Sequence, residues 1–339
     1  MFVSTRRRRA PTLILVAALA GCTGNQSAVG KFVPQSATPM QLQSAGIPAR
    51  PNGRAEGGTR IFTANRDTPG VLAFSVTGSG NVAPVATIAG AKTSLDSPDS
   101  LALDEAGNIY TANDGATSDE VFGSNANGNV KPMRILGGPN SELGPTEGIM
   151  VDPSGNLWVS DFSGYVITEY AAGAHGNAPP IATIAGSKTQ LSQPFGLAMD
   201  ASGRLFVVNG ASSTIVAFAK GANGNAKPVV TVAGAKTGLG KPFAIAFDSH
   251  GRLLVADRYT GILVFAKGAH GNVAPLQRIY GLSYPTGVVA DSQDRIWAAD
   301  FSRNSIEEFA KNATGYATPL RTIAGPKTTL NGPTYLALR

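Results

Sequence analysis

From about residue 60 onwards, short apolar runs alternate with short polar, glycine-rich runs. Residues 194–234 show this clearly: four runs rich in Val, Ile, Leu and Phe are separated by segments of Gly, Ala, Ser, Asn and Pro. Short runs of β-branched and aromatic residues bounded by turn formers are typical of antiparallel strands. Nothing in the repeat region keeps the 3.6-residue apolar spacing of a helix. The pattern predicts four strands, which we name A to D in chain order.

This four-strand pattern returns six times, and its clearest marker is a proline that opens strand A. The markers lie on average 47 residues apart, (333 − 98)/5, and are Pro98, Pro145, Pro194, Pro242, Pro285 and Pro333. A Gly-Asn dipeptide, such as Gly224-Asn225, recurs between strands C and D, and we expect both residues to tolerate a positive φ there. A period of this length indicates a stacked or circular array.

The two ends of the repeat region are out of phase with each other. The first repeat starts at strand B, over residues 60–64, and the last ends with a lone strand A over residues 333–338. Six complete four-stranded units result if the last strand joins the first repeat. Four-stranded units arranged radially are the blades of a β-propeller. We therefore predict an all-β, six-bladed propeller over residues 59–339, closed by the C-terminal strand joining the N-terminal blade, which removes an open sheet edge.

The fourth repeat carries a more specific resemblance. Residues 194–209 read Pro-Phe-Gly-Leu-Ala-Met-Asp-Ala-Ser-Gly-Arg-Leu-Phe-Val-Val-Asn, and Ile215 and Phe218 follow in the next strand. This resembles the NHL repeat, with its Pro-x-Gly-apolar-Ala-apolar-Asp run, and the resemblance extends over all six copies. The gluconolactonase-like and TolB-like groups of six-bladed propellers share the architecture that the resemblance implies. Such an architecture does not fix a function.

The N-terminus indicates where the protein resides. Arg6–Arg9 form a basic region, and residues 11–19 form an apolar stretch that is too short to span a bilayer. Leu19-Ala20-Gly21-Cys22 then resembles the bacterial lipobox, which implies that Cys22 is lipidated. We predict a lipoprotein signal peptide over residues 1–21, and a lipidated cysteine with a flexible tether over residues 22–58. The alternative is an ordinary signal peptide in which Cys22 is incidental.

These expectations place the protein in the bacterial cell envelope, exported to the periplasmic or cell-surface side and held at the membrane by lipid alone. They also change the charge balance, because removing Arg6–Arg9 from the 28 basic residues leaves 24 against 22 acidic ones. No basic cluster interleaved with aromatic residues remains, so we predict no nucleic-acid partner. Cys22 is the only cysteine, which excludes disulfides within the chain and cysteine-based zinc sites.

Propeller geometry sorts the loops between two faces. The B–C and D–A connections share one face, which we call the upper face, and the A–B and C–D turns share the lower face. The three histidines fall in turns of the lower face, where we expect exposed side chains: His175, His250 and His270. The sequence shows no Ser-His-Asp arrangement and no glycine-rich phosphate loop, so no catalytic residue is predicted.

The upper face is more polar. Strand B ends in an amide or a carboxylate in every repeat, at Asn65, Asn113, Asp161, Asn209, Asp257 and Asp300. Together with Glu147, near the start of strand A, such oxygens suit Ca²⁺ or Mg²⁺, and the candidate ligands are Glu147, Asp161, Asp257 and Asp300. The alternative is that each ring residue bonds backbone donors of its own turn, which recurrence in all six repeats favours. Glu147 is the exception, as the only carboxylate expected at its position; Asp99 begins strand A nearby.

Aromatic residues provide a second feature of this face. The fifth repeat lacks about five residues of its D–A connection, at 281–285. The gap predicts a notch beside Tyr259, Tyr284 and Phe301 that suits a sugar, peptide or protein. Trp158 and Trp297, in contrast, are expected in the core. Recurrent lysines on the D–A connections add charge that we interpret as favouring solubility: Lys92, Lys188, Lys236 and Lys327.

Two functions follow from these features. The leading interpretation is a non-catalytic, lipid-anchored propeller that binds a protein or glycan through its upper face and needs no cofactor. The second is a hydrolase or lactonase that depends on a divalent metal, centred on Glu147 and the ring of Asn and Asp. A purely structural role in the envelope also stays open.

Overall fold

The computed structural model describes residues 60–339, and the strands of this part of the chain form six antiparallel sheets of four. Within these residues, no helix is long and apolar enough to cross a bilayer. The strands are β1 (Arg60–Asn65), β2 (Gly70–Ser75), β3 (Ala86–Ala89), β4 (Pro98–Leu103), β5 (Ile109–Asn113), β6 (Ser118–Phe122), β7 (Arg134–Gly137), β8 (Thr146–Val151), β9 (Leu157–Asp161), β10 (Val166–Tyr170), β11 (Ala182–Ile184), β12 (Pro194–Met199), β13 (Leu205–Asn209), β14 (Thr214–Phe218), β15 (Val230–Val232), β16 (Pro242–Phe247), β17 (Leu253–Asp257), β18 (Gly261–Phe265), β19 (Gln277–Ile279), β20 (Pro285–Ala290), β21 (Ile296–Asp300), β22 (Ser305–Phe309), β23 (Arg321–Ala324) and β24 (Pro333–Leu338).

The ring closes as the sequence predicts. Blade 1 has the strand order β24-β1-β2-β3, so its inner strand comes from the C-terminus. Ile61 pairs with Leu338, and Thr63 pairs with Leu336. Blades 2 to 6 then follow in chain order, from β4–β7 to β20–β23. The all-β, six-bladed propeller is therefore confirmed.

The inner strands correct one alignment. The inner strands of blades 2 to 5 begin at residues 98, 146, 194 and 242, a step of 48 residues. Thr146, not Pro145, pairs with Asp161 as Pro98 pairs with Asn113. Glu147 is therefore the equivalent of Asp99, and the expectation that Glu147 is the only carboxylate at its position is wrong. An irregular register near the start of each inner strand is a β-bulge, a feature that re-aims side chains.

The core lies between neighbouring blades. Ile61 and Phe74 of blade 1 pack in one cluster with Val289 and Trp297 of blade 6. Trp158 lies in the corresponding cluster between blades 3 and 4, so both tryptophans are core residues as predicted. Burying a large apolar side chain contributes about 1.5–3 kcal/mol. Because such clusters lie between neighbouring blades all round the ring, the stabilising burial is distributed over the ring rather than concentrated in one blade.

Each C–D connection reaches across to the preceding blade. Gly224 of blade 4 forms a parallel bridge with Ile184 of blade 3, and the Asn225 side chain accepts a hydrogen bond from the Lys188 backbone N–H at 2.7 Å. Equivalent glycine bridges join every pair of neighbours. The prediction of a positive φ is confirmed for Gly224 but not for Asn225. The asparagine recurs because its side chain caps the neighbouring loop, and the connection also covers an outer sheet edge.

Candidate functional site

Strand pairing places the predicted ring on the upper face, because the start of each inner strand meets the end of strand B. The amides of the ring cap the loop that leads into the inner strand. Oδ1 of Asn113 accepts from the Asp96 N–H at 2.6 Å, and Nδ2 donates to the Ser94 carbonyl at 2.9 Å. Asn209 and Asn65 accept from the equivalent backbone N–H groups at 3.0 and 2.7 Å. These amides organise loops, as the capping interpretation predicts.

The carboxylates of the ring also accept hydrogen bonds from backbone N–H groups. Asp257 accepts from the backbone N–H of Gly240 at 2.7 Å. Asp300 accepts from that of Ser283 at 2.6 Å. Asp161 instead accepts from the N–H groups of Ser163 and Gly164 in its own turn, at 2.9 and 2.8 Å. All three thus have backbone donors as partners.

A different set of carboxylates converges at the mouth of the channel. One oxygen each of Asp99, Asp114 and Glu147 lies within 4.8 Å of the others. Arg66 holds two of them, with Nε 2.9 Å from Oδ1 of Asp99 and Nη2 3.3 Å from Oδ2 of Asp114. We call these four residues, together with Thr334, the mouth cluster. Of the four predicted metal ligands, only Glu147 belongs to this convergent set.

Three buried oxygens of the mouth cluster stand without a hydrogen-bond partner among residues 60–339. They are Oδ2 of Asp99, Oε2 of Glu147 and Oγ1 of Thr334. The residues are 1 %, 8 % and 1 % exposed, respectively. Each is the second residue of its inner strand, in blades 2, 3 and 1. Leaving a buried polar atom unpaired costs about 1–3 kcal/mol, so three at one site call for a functional explanation.

Burial also changes the titration of the cluster. It raises the pKa of Asp99 to about 7, although the Arg66 guanidinium opposes the shift. Burial, reinforced by the Asp99 carboxylate, raises the pKa of Glu147 well above its usual range. Asp99 therefore titrates close to neutrality, and both shifts favour the neutral carboxyl over the carboxylate. Such shifts are typical of functional sites, because the cluster can take up or release a proton when a charged group arrives.

Aromatic side chains form the other side of the mouth. The ring centroid of Phe195 lies 6.2 Å from that of Phe162 and 4.9 Å from that of Phe243. Tyr335 follows at 5.2 Å from Phe243 and donates its hydroxyl to the Phe243 carbonyl at 3.2 Å. Cζ of Arg258 lies 3.6 Å from the Phe243 centroid, a cation–π contact. We call Phe162, Phe195, Phe243 and Tyr335 the aromatic arc.

The predicted notch is only partly continuous with this arc. Tyr284 lies 5.9 Å from Phe301 between ring centroids, and Arg258 stacks 4.8 Å from the Tyr284 ring. Tyr259 is 70 % exposed, and its backbone N–H donates to Asp257. A second exposed pair, Tyr280 and Tyr316, lies 5.5 Å apart where the fifth D–A connection is shortened, and the sequence did not single it out.

Sequence reasoning missed Arg66, Asp114 and Arg258, although a signal existed. Each directly follows the ring residue of its strand B. Across the six blades this position reads Arg66, Asp114, Phe162, Gly210, Arg258 and Phe301. The ring position stays Asn or Asp, whereas the next position varies and lies at the mouth. A position that departs from the repeat is the place to expect a function.

The lower face brings His250 into contact with blade 6. Nδ1 of His250 lies 3.0 Å from Oδ2 of Asp294, and Asp248 completes a second group of candidate metal ligands. Asp294, at φ 59°, stands where other repeats have Gly, and it accepts from the backbone N–H and the hydroxyl of Ser249 at 2.9 and 2.7 Å. A cavity of about 410 Å³ is lined by Asp248, His250 and Phe206 among others. Because both carboxylates here already accept hydrogen bonds, the group joins two turns.

Comparison with known proteins supports the fold alone. No protein-family profile matches the chain, and no curated protein matches it. A protein of unknown function from Bacteroides caccae has a TM-score of 0.59 at 12 % identity, with 83 % of this chain and 98 % of that chain covered. A nidogen/laminin complex gives 0.59 at 15 % identity, with the same coverage. A putative 6-phosphogluconolactonase from Bacteroides uniformis gives 0.56 at 16 % identity, covering 85 % and 87 %.

Proposed function

We propose that this chain is an exported, lipid-anchored, NHL-like propeller that binds a protein or glycan at the centre of its upper face and does not catalyse a reaction. The observation that carries the proposal is the mouth itself, where three buried oxygens have no partner among residues 60–339 and the inner strands of blades 4 and 5 carry aromatic rings at the equivalent position. Binding sites are typically concave and apolar with a few converging polar groups. The mouth combines apolar rings with converging polar groups.

The use of the other polar residues supports binding over catalysis. The ring carboxylates accept backbone hydrogen bonds, and Arg66 pairs with two of the three carboxylates of the mouth cluster. The resemblance to a propeller from a nidogen/laminin complex supports a protein as the ligand. A propeller offers a rigid scaffold on which variable loop positions select the partner.

A binding screen on arrays of peptides and glycans tests this function. The full-length chain carrying Asp114→Asn or Tyr284→Ala should lose at least about tenfold in signal, because both side chains lie at the mouth or on its rim. His175→Ala, a change at an exposed residue on the lower face, is the matched control and should bind like the wild type. Equal loss in all three variants, or no loss in the upper-face variants, contradicts the proposal.

The proposed anchor is tested separately at Cys22, which lies outside the described residues. In a bacterial host supplied with a labelled fatty acid, the wild type should be labelled and fractionate with membranes, because acyl chains hold it there. Cys22→Ser should be unlabelled and released. Membrane association that survives the substitution would disprove lipid anchoring.

The second candidate is a metal-dependent hydrolase or lactonase centred on Glu147. It is favoured by the convergence of Asp99, Asp114 and Glu147, an all-oxygen set of the kind that Ca²⁺ and Mg²⁺ prefer. The likeness to a putative 6-phosphogluconolactonase agrees with it. The residues fit such an ion only in part, because Arg66 already neutralises two of the carboxylates. Stoichiometric metal in the purified protein, with lactone hydrolysis lost on chelation and in Glu147→Gln, would establish this candidate over the first.

A further inference from the structure

Three consecutive blades leave an oxygen without a partner at one equivalent position. These residues are Thr334, Asp99 and Glu147, in blades 1, 2 and 3, and the statement holds for the described part of the chain. The same position in blade 6 is satisfied, because Thr286 donates to the Pro333 carbonyl at 2.8 Å. Blades 4 and 5 place Phe195 and Phe243 there. The ring is thus divided into an arc of unpaired oxygens and an arc of aromatic rings.

The oxygen arc calls for a donor that carries positive charge. Carboxylates only accept hydrogen bonds when ionised, and a threonine hydroxyl can accept as well. Three carboxylates converge there, and the Arg66 guanidinium forms ion pairs with two of them. The charge of Arg258 acts on Asp99 and Glu147 without an ion pair, so within the described residues three carboxylates face two guanidiniums. Arg66 contacts Oδ1 of Asp99, which leaves Oδ2 of Asp99 and Oε2 of Glu147 without a donor. An ammonium group supplies three N–H donors from one nitrogen and no acceptor, so its donors match the unpaired atoms.

The aromatic arc indicates which kind of chemical group bears the ammonium. Phe195 and Phe243 stand at the equivalent position in blades 4 and 5, which lie across the six-bladed ring from blades 1 and 2, and the Tyr335 ring of blade 1 packs on Phe243. A lysine buries its methylene stem along apolar surface and keeps only its end charged. Arg258 shows that these rings accept a cation, since its Cζ lies 3.6 Å from the Phe243 centroid. A metal ion has no stem to pack there, and a neutral sugar has no charge.

We propose that the ligand of the mouth cluster is a lysine side chain from a protein partner, with its ammonium bound among Thr334, Asp99 and Glu147 and its stem against the aromatic arc. This inference rests on the proposed binding function and narrows the partner's chemistry. The partner presents the lysine on an exposed loop or chain end that reaches the centre of the upper face.

Calorimetry on the full-length chain tests the proposal with defined probes. The probe is the blocked peptide Gly-Ser-Lys-Ser-Gly, and its matched control replaces lysine by norleucine, which keeps the stem and removes the ammonium. A charged hydrogen bond contributes about 1.5–3 kcal/mol, so the norleucine peptide should bind roughly tenfold to a hundredfold more weakly. Glucosamine and Ca²⁺ are titrated in parallel, and both should bind more weakly than the lysine peptide.

Substitutions locate the site. Glu147→Gln should weaken binding of the lysine peptide at least about tenfold, because it removes the negative charge and replaces one carboxylate oxygen by an N–H donor. Thr334→Val should weaken it roughly threefold to tenfold, because it removes the hydroxyl acceptor. Glu142→Gln, an exposed change in the neighbouring loop, is the control and should leave affinity unaltered. A thermal unfolding curve on each variant shows that the fold is intact.

The other outcomes separate the two levels of the proposal. Equal binding of the norleucine peptide, or tight Ca²⁺ binding that excludes the lysine peptide, overturns the lysine inference. If neither peptide binds but other array ligands still depend on Asp114 and Tyr284, the lysine inference fails and the binding function stands. If the arrays are also silent, both fail.

Discussion

At the scale of single residues, the burial of Asp99 makes the free energy of unfolding depend on pH. Burial raises its pKa to about 7 from 3.8, so the folded protein binds this proton more tightly than the unfolded chain does. The resulting stability is fully present below pH 3.8 and is lost as the pH rises through 7. Glu147 and Glu120, whose pKa values burial also raises, act in the same direction.

We therefore expect the free energy of unfolding to fall between pH 5 and pH 8. Urea unfolding at intervals across that range measures it. In Asp99→Asn, the loss of unfolding free energy between pH 5 and pH 8 should be smaller by about 3 kcal/mol. A pKa difference of one unit corresponds to about 1.4 kcal/mol, and the raised pKa of Asp99 accounts for about two units over this range. Glu142→Gln should keep the wild-type slope. An unchanged slope in Asp99→Asn would show that Asp99 is not held in a strongly desolvating environment.

Part of the mouth was predictable at this scale. Glu147 stood out in the sequence because it was expected to be the only carboxylate at its position in the repeat. Its equivalence to Asp99 was hidden, because Pro145 lies one residue before the true start of the strand. The pairing of Arg66 with Asp99 joins two blades, and only the bulge at the start of the inner strand decides where such side chains point. Local pattern does not contain that information.

At the scale of elements, the contact between a C–D connection and the preceding blade gives a second prediction. Gly186 has a φ of 114°, and an added Cβ would lie 2.7 Å from Cγ of Asn225. Gly186→Ala should therefore destabilise the protein by about 2 kcal/mol or more, through backbone strain and displacement of the asparagine. Chemical unfolding measures the change.

Gly123→Ala is the control for this prediction. Its φ lies outside the left-handed region, and the nearest atom to an added Cβ is Sδ of Met133 at 3.4 Å. The stability of this variant should stay within about 0.5 kcal/mol of the wild type. Similar losses in both variants would mean that the contact between blades does not govern the position.

The strands and their order were predictable because the same alternation of apolar and polar runs occurs in all six repeats. The path of the C–D connection was not, since an Asn after Gly fits an ordinary turn equally well. The fifth and sixth blades show what the connection does: where the D–A loop is shortened, Tyr316 replaces the asparagine and packs against Tyr280. With no loop to cap, the amide has no role there.

At the scale of the whole molecule, ring closure supports both the fold and the mouth. The strand β24 supplies the buried Leu336 and Leu338 to blade 1, and it also supplies Thr334 to the mouth cluster. Deleting residues 333–339 should lower the thermal midpoint by roughly 10 °C or more, because it removes several kcal/mol of apolar burial and opens a sheet edge.

A deletion of equal length, residues 30–36, is the control, since it lies before the propeller. It should leave the midpoint unchanged when thermal unfolding is followed by circular dichroism. If removal of residues 333–339 left the midpoint unaltered as well, the closed ring and every face assigned from it would be wrong.

Proton release on binding tests the central claim most directly. The lysine peptide is titrated into the full-length chain at pH 7 in buffers of different ionisation enthalpy. The charges of Arg66, Arg258 and Asp114 already act on Asp99 and Glu147. An added ammonium further favours their ionised forms, so binding should release protons to the buffer. The release should diminish in Asp99→Asn. Binding whose enthalpy is the same in every buffer would contradict a cation at the mouth cluster.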